Sequence, residues 1–146
     1  MRILICGDSH GNVDVLDALV KKHPDIDLYL HTGDSEASSE LAILPFRAVL
    51  GNCDYFGDFP EHLLIPTPLG NIWVQHHPET RLDPLKKEKV KFFIHGHTHV
   101  RRNEEKDGIV FINPGSISRP FDSPNGTYAI LEIKNNQYTI KFYIVE

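Results

Sequence analysis

The sequence predicts an α/β fold in which two mixed β-sheets pack face to face with helices outside, a four-layer αββα sandwich. Short apolar, β-branched-rich runs recur along the chain as buried strands do. In the first third, helical segments separate them, and strand, helix, strand, helix, strand at this spacing implies parallel βαβ units. After Pro60 the rhythm changes to closely spaced strands with turn signals, which implies a second sheet. With 146 residues the chain can bury a real core, and residues 1–146 read as a single domain.

Arg2 to Cys6 is the first strand, running into Gly7-Asp8-Ser9-His10-Gly11. A helix follows from about Asn12 to Lys22, with Val15, Leu16, Leu19 and Val20 on one face and acids early, where the helix dipole favours them. Pro24 forbids its continuation. Asp27 to His31 is a strand ending in Thr32-Gly33-Asp34, and Ser35 to Leu44 reads as a weaker helix stopped by Pro45. Phe46 to Leu50 is a third strand, leading to Gly51-Asn52-Cys53-Asp54. Leu63–Ile65 and Ile72–Gln75 are short strands around a Pro/Gly turn, and Pro84 to Glu88 is a short helix. Phe92-Phe93-Ile94 is a buried strand that meets Gly96 and a cluster of histidines. Ile109–Ile112 ends in Asn113-Pro114-Gly115-Ser116. Thr127–Ile133 and Tyr138–Val145 flank the hairpin signal Asn135-Asn136.

Composition narrows the functional classes. A formal charge of −5 argues against a polyanion-coating surface, since nucleic-acid binders carry a basic excess. Cys6 and Cys53 make neither a disulfide framework nor a paired-Cys zinc motif. Met1 to Cys6 is too short for a signal peptide, and no apolar run approaches transmembrane length. A reduced, cytoplasmic protein with no membrane partner is the expectation.

Five strands end in loops carrying a carboxylate, amide or imidazole: Asp8 and His10, Asp34, Asn52, His76 beside His77, and His97 and His99. Ligands of α/β sheets bind beyond the carboxyl ends of parallel strands, so these loops should converge. The His76 loop, set by less regular structure, would be scattered if its strand ran antiparallel. Oxygen and imidazole donors without a thiolate pair suit a harder divalent metal than a structural zinc knot. Seven donors are too many for one ion with open positions. Two ions sharing a bridging carboxylate would use them well, and such pairs stabilise both oxygens of a phosphoryl displacement.

Asp8-Ser9-His10, Gly33-Asp34, Gly51-Asn52-x-Asp54, His76 and Gly96-His97-Thr98-His99 resemble, in order, the motifs of the calcineurin-like metallophosphoesterase superfamily. The likeness runs from Arg2 to about Pro120 and is nearest to the small bacterial and archaeal phosphodiesterases, with Asn113–Ser116 and Arg119-Pro120 also matching. The resemblance implies one metal held by Asp8, His10, Asp34 and His99, and a second by Asp34, Asn52, His76 and His97. It implies a hydroxide between the metals attacking the phosphorus of a small phosphodiester, with Asn52, Asp34 and His97 as the catalytic residues. Two divalent ions follow, manganese first, with iron, nickel or zinc as alternatives. The superfamily also holds a scaffold resembling these enzymes, a retromer subunit, so a non-catalytic interaction module is the alternative. Scaffold versions have replaced some ligands, and here none is missing. A single-metal or redox protein of unrelated chemistry is a third reading.

Two departures bear on mechanism. Cys53 stands where larger members carry a histidine that helps protonate the leaving group, as it does in the small phosphodiesterases, and it points to substrates with good leaving groups. His77-Pro78 follows His76 where the family usually has glycine, leaving either histidine as ligand; His76, directly after its strand, is preferred. His31 reads as a donor orienting a ligand or as a core histidine, His23 as a helix C-terminal residue, His62 as exposed loop, and His95 as no ligand. Arg101 and Arg102, beside Glu104 and Glu105, read as a solvated strand face, while Arg119 is a candidate phosphate clamp. The short Cys53–Pro60 connection suggests an open, weakly selective site.

Overall fold

The computed structural model describes residues 1–55 and 58–146. Among the described residues, ten strands form two five-stranded mixed sheets. The first contains β1 (Arg2–Cys6), β2 (Leu28–His31), β3 (Phe46–Ala48), β9 (Thr127–Lys134) and β10 (Gln137–Ile144), in the order β10-β9-β1-β2-β3. The second contains β4 (His62–Ile65), β5 (Asn71–Gln75), β6 (Val90–Ile94), β7 (Arg102–Lys106) and β8 (Ile109–Asn113), in the order β4-β5-β6-β8-β7.

Alternation along the strands builds the layers, because successive side chains point to opposite sheet faces. In β1, Ile3 and Ile5 join Phe92, Ile94, Val110, Ile112 and Leu131 in the core between the sheets. Leu4 and Cys6 face the other way, against Leu16 and Leu19 of α1 (Val13–Lys22) and Phe46. On the far side of the second sheet, Phe93 and Phe111 pack with Leu85 of α2 (Leu82–Lys87). The order of layers is therefore helix, sheet, sheet, helix.

The helix α1 begins where Asn12 accepts the Val15 N–H and closes with Lys21 and Lys22 in its last turn, the charge order the helix dipole favours. The expected helix over Ser35–Leu44 is reduced to a single 3-10 turn, Glu40–Ile43. Glu36 is left-handed at φ 54°, its N–H goes to Asp54 and that of Ala37 to the Ser35 hydroxyl, so the donors of a first turn point elsewhere. β3 stops at Ala48, two residues before the expected Leu50. His62 opens β4 rather than lying in a loop, stacked on Trp73 with ring centroids 4.2 Å apart. Asn135 and Asn136 are both left-handed, the two-residue turn that matches strand twist.

Parallel pairing positions the site. β1 pairs parallel with β2, and β2 with β3; β5 pairs parallel with β6, and β6 with β8. The parallel β5 answers the question over the His76 loop: it leaves the sheet on the same edge as the His97 loop, with the Gly96 N–H bound to the His76 carbonyl at 2.9 Å. No helix among the described residues is long and apolar enough to cross a membrane.

Candidate metal centre

All seven expected donors meet at the carboxyl edge of the parallel strands. Asp8, His10 and His99 offer atoms within 4.8 Å of one another, as do Asp8, Asp34 and His76, and His10, Asp34 and Cys53. Asn52 Oδ1 lies 2.8 Å from His76 Nε2 and 3.1 Å from His97 Nδ1, and Asp34 Oδ2 lies 3.3 Å from His76 Nε2. The donors thus form two groups, Asp8/His10/His99 and Asn52/His76/His97, with Asp34 in reach of both. His76 is buried with its Nε2 in the cluster. His77 is exposed, its ring 4.4 Å from that of His97.

The backbone is bent to make this possible. Asp8, His10, Asp34, His97 and His99 all have positive φ, between 47° and 72°. Left-handed backbone is uncommon outside glycine, and such residues cluster at functional sites. Gly33, at φ 106°, is tied to its place by space as well: a Cβ there would stand 2.7 Å from His76 Nδ1.

Hydrogen bonds from the loops fix the imidazoles. His76 donates from Nδ1 to the Thr32 carbonyl at 2.8 Å, and His99 from Nδ1 to the Arg119 carbonyl at 2.7 Å. Each bond leaves Nε2 to face the cluster, the arrangement metal-ligating histidines use. His31 accepts the Gly33 N–H at Nδ1 and donates from Nε2 to Ser9 Oγ, so it braces the Asp8 and Asp34 loops and offers no ligand atom. Its burial pushes its pKa down to about 3, keeping it neutral. His95 donates to the Gly96 carbonyl and accepts from Arg102, turned away from the cluster. His23 closes α1 through its N–H to Leu19 and meets the Tyr128 hydroxyl.

Several supporting groups carried no visible role in the sequence. Asp54 accepts the backbone N–H groups of Asp34, Glu36 and Gly51 at 2.7–2.9 Å, clamping two ligand loops together. Asn113 donates to the Gly96 carbonyl and Thr98, and Ser116 donates to the Asp8 carbonyl. The spacing Gly51-Asn52-x-Asp54 and the run Asn113–Ser116 were the available signals, but a sequence does not show which backbone groups such side chains reach. Arg102 sits on the strand face with Glu104, as expected, whereas Arg101 pairs with Asp122 at 2.9 Å.

The electrostatics ask for cations. Asp8 is fully buried and neither of its carboxylate oxygens has a well-formed hydrogen bond among the described residues, although the His97 backbone N–H and the His76 and His99 rings, at 4.0 and 3.6 Å, are close by; both ring nitrogens of His10 also lack such a bond. Buried polar groups are almost always paired, and an unpaired buried carboxylate is costly. Burial, with the neighbouring Asp34 charge, pushes Asp8 up to about 7 despite the opposing pull of His76. Burial would raise Asp34 too, but hydrogen bonds from His76 and the Cys53 N–H outweigh it and hold Asp34 at about 2. His76 is raised, its desolvation outweighed by Asp34. Protons gather where lone pairs converge, and divalent ions fit the same donor set of carboxylates, amide and imidazoles.

Fold and cluster together define an α/β sandwich carrying a buried carboxylate–imidazole centre of metal-binding type. The profile of the calcineurin-like phosphoesterase superfamily domain matches residues 1–136, and the chain belongs to that superfamily. It is 35% identical to the probable metallophosphoesterase YsnB of Bacillus subtilis, over 98% of this chain and 90% of the relative. A solved structure from Streptococcus pneumoniae, described as a predicted phosphoesterase, superposes with a TM-score of 0.87 at 27% identity, covering 98% of this chain and 88% of the other. An archaeal phosphodiesterase shares the fold, with a TM-score of 0.74 at 20% identity over 98% of this chain and all of its own. Membership implies metal ions and a phosphoester substrate.

Proposed function

We propose that the chain is a dinuclear metal-dependent phosphodiesterase acting on small phosphodiesters. The buried Asp8 carboxylate, without a well-formed hydrogen bond among the described residues in a seven-donor cluster, carries this reading. Asp8, His10, Asp34 and His99 would hold one ion, and Asp34, Asn52, His76 and His97 the other, with Asp34 shared. When bound, the ions would supply Lewis acidity and bring a water's pKa toward neutrality; manganese is the first choice and iron, nickel or zinc are alternatives.

The chain's own residues prepare that chemistry. Thr32 and Arg119 carbonyls hold His76 and His99 with Nε2 inward. Asp34 is kept ionised by its hydrogen bonds, as a shared ligand must be. Asn52 lies at the exposed edge of the cluster, where its amide can donate to a phosphate oxygen. Cys53 is placed beside Asp34, and burial with the Asp34 charge raises its thiol pKa. A thiol so raised is a poor proton donor, which favours diesters with good leaving groups.

Turnover separates this reading from the scaffold alternative, since a donor cluster can hold ions without catalysis. The test is hydrolysis of bis(4-nitrophenyl) phosphate by manganese-loaded protein. Turnover abolished by chelation is expected. Folded, metal-loaded protein inert with each of several divalent ions would sink the proposal.

A further inference from the structure

Phe121 is an exposed aromatic ring whose place beside the cluster sets it apart from the chain's other exposed apolar side chains. It is 75% exposed. The ring meets that of His99 at a tilt of 33°, with centroids 4.9 Å apart, and His99 Nε2 is 3.6 Å from the Asp8 carboxylate. The ring therefore stands on the lip of the Asp8/His10/His99 group.

Its backbone is anchored. The Phe121 N–H binds the His99 carbonyl at 3.0 Å. The next residue, Asp122, takes the Arg101 backbone N–H and Nε, each at 2.9 Å, and its carbonyl accepts from Arg101 Nη2. Along the chain the ring is flanked by the half-buried Pro120 and by Asp122, and Val100 beside His99 is 41% exposed, so the ring is the largest exposed apolar group of this segment. A flat aromatic face suits a planar group, and a ring on an anchored backbone loses less freedom when it is covered.

The other half of the cluster is different. A cleft of about 400 Å³ opens beside Asn52 and His76, lined also by Leu50, Glu61, Gln75 and His77. A phosphodiester carries two substituents on one phosphorus, and these two flanks offer them unlike surroundings, one an exposed phenyl ring and one a cleft of mixed polar and apolar lining.

We propose that Phe121 is a specificity-determining residue whose free face stacks a planar aromatic substituent of the substrate, an aryl group or a nucleobase. The inference rests on the phosphoester reading of the site and names the substrate class it favours. Stacking on an aromatic side chain is sequence-tolerant for bases and open to any π-face, so both sources share the same chemistry.

The test uses binding and not turnover. Manganese-loaded protein is titrated calorimetrically with phenylphosphonate and with methylphosphonate, then with thymidine 5′-phosphate and ribose 5-phosphate. The expected result is that the phenyl ligand binds about tenfold more tightly than the methyl one, equivalent to ~1.4 kcal/mol. Phe121→Ala should remove that preference and leave methylphosphonate affinity unchanged, and Phe121→Tyr should restore it. A matching preference for the nucleotide supports a nucleobase, and a preference confined to phenyl supports an aryl group. Equal weakening of both phosphonates by Phe121→Ala would show a ring that only positions His99, and would overturn the proposal. Methylphosphonate bound without phenyl preference would also overturn it while leaving the phosphoester reading standing. Failure of every ligand to bind would remove both.

Discussion

Replacing Asp8 by asparagine should make the metal-free protein more stable at pH 8, although it removes a metal ligand. Asp8 has an ordinary pKa of 3.8 and is held at about 7 in the fold, chiefly by burial. The native state therefore binds the extra proton between those values, and stability is lost as pH rises through that window. At 1.36 kcal/mol per pH unit, the gap from 3.8 to about 7 amounts to ~4 kcal/mol lost by pH 8. Asparagine has no charge to bury, but its amide inherits the same unpaired surroundings at a cost of ~1–3 kcal/mol. The net expectation is a gain of about 1–3 kcal/mol at pH 8. At pH 5, where wild-type Asp8 is protonated, the same substitution should be neutral or destabilising. Urea denaturation of chelator-treated wild type and Asp8→Asn at the two pH values, with unchanged m-values, measures the difference. A change in stability equal at both pH values, or a loss at pH 8, would refute the reasoning.

Metal binding must displace the protons held by Asp8 and His76, both raised in the metal-free fold. Apparent manganese affinity should therefore climb between pH 5 and pH 8 and level above, and a calorimetric titration series that is flat over this range would contradict it. Asp54→Ala leaves three backbone N–H groups without their acceptor. It should lower stability by about 2–4 kcal/mol and weaken metal binding about 10- to 100-fold, read by denaturation and calorimetry on the same protein. His95→Ala, by contrast, removes only bonds to Arg102 and the Gly96 carbonyl. Metal stoichiometry should survive it unchanged; loss of an ion would place His95 in the centre.

The layers were legible because the near-continuous apolar runs of β1, β6 and β8 mark strands buried on both faces, and the parallel βαβ order implied that ligand loops would share an edge. Segment 35–44 misled because its apolar residues mimic a helix, while Leu41 and Leu44 are in fact 78% and 60% exposed. The decisive influence there is Asp54, which takes the Glu36 N–H from a different loop. β7, Arg-Asn-Glu-Glu-Lys, has no apolar alternation; its pairing with β8 depends on the left-handed Asp107-Gly108 turn. Of the site, residue types and order were readable. The left-handed backbone at five donors was not, since nothing in Asp8 or His97 themselves announces it. The expectation of an open site from the Cys53–Pro60 connection includes Phe56 and Gly57, which lie outside the described residues. Phe121 escaped notice because it belongs to no motif; only its placement against His99 gives it meaning.

The number of manganese ions bound per chain, measured by titrating chelator-treated protein, bears most directly on the dinuclear centre. The account predicts two equivalents for the wild type and loss of both high-affinity sites in Asp34→Ala, because that carboxylate serves both groups of donors. One equivalent or none in the folded wild type, or Asp34→Ala binding both ions normally, would contradict it.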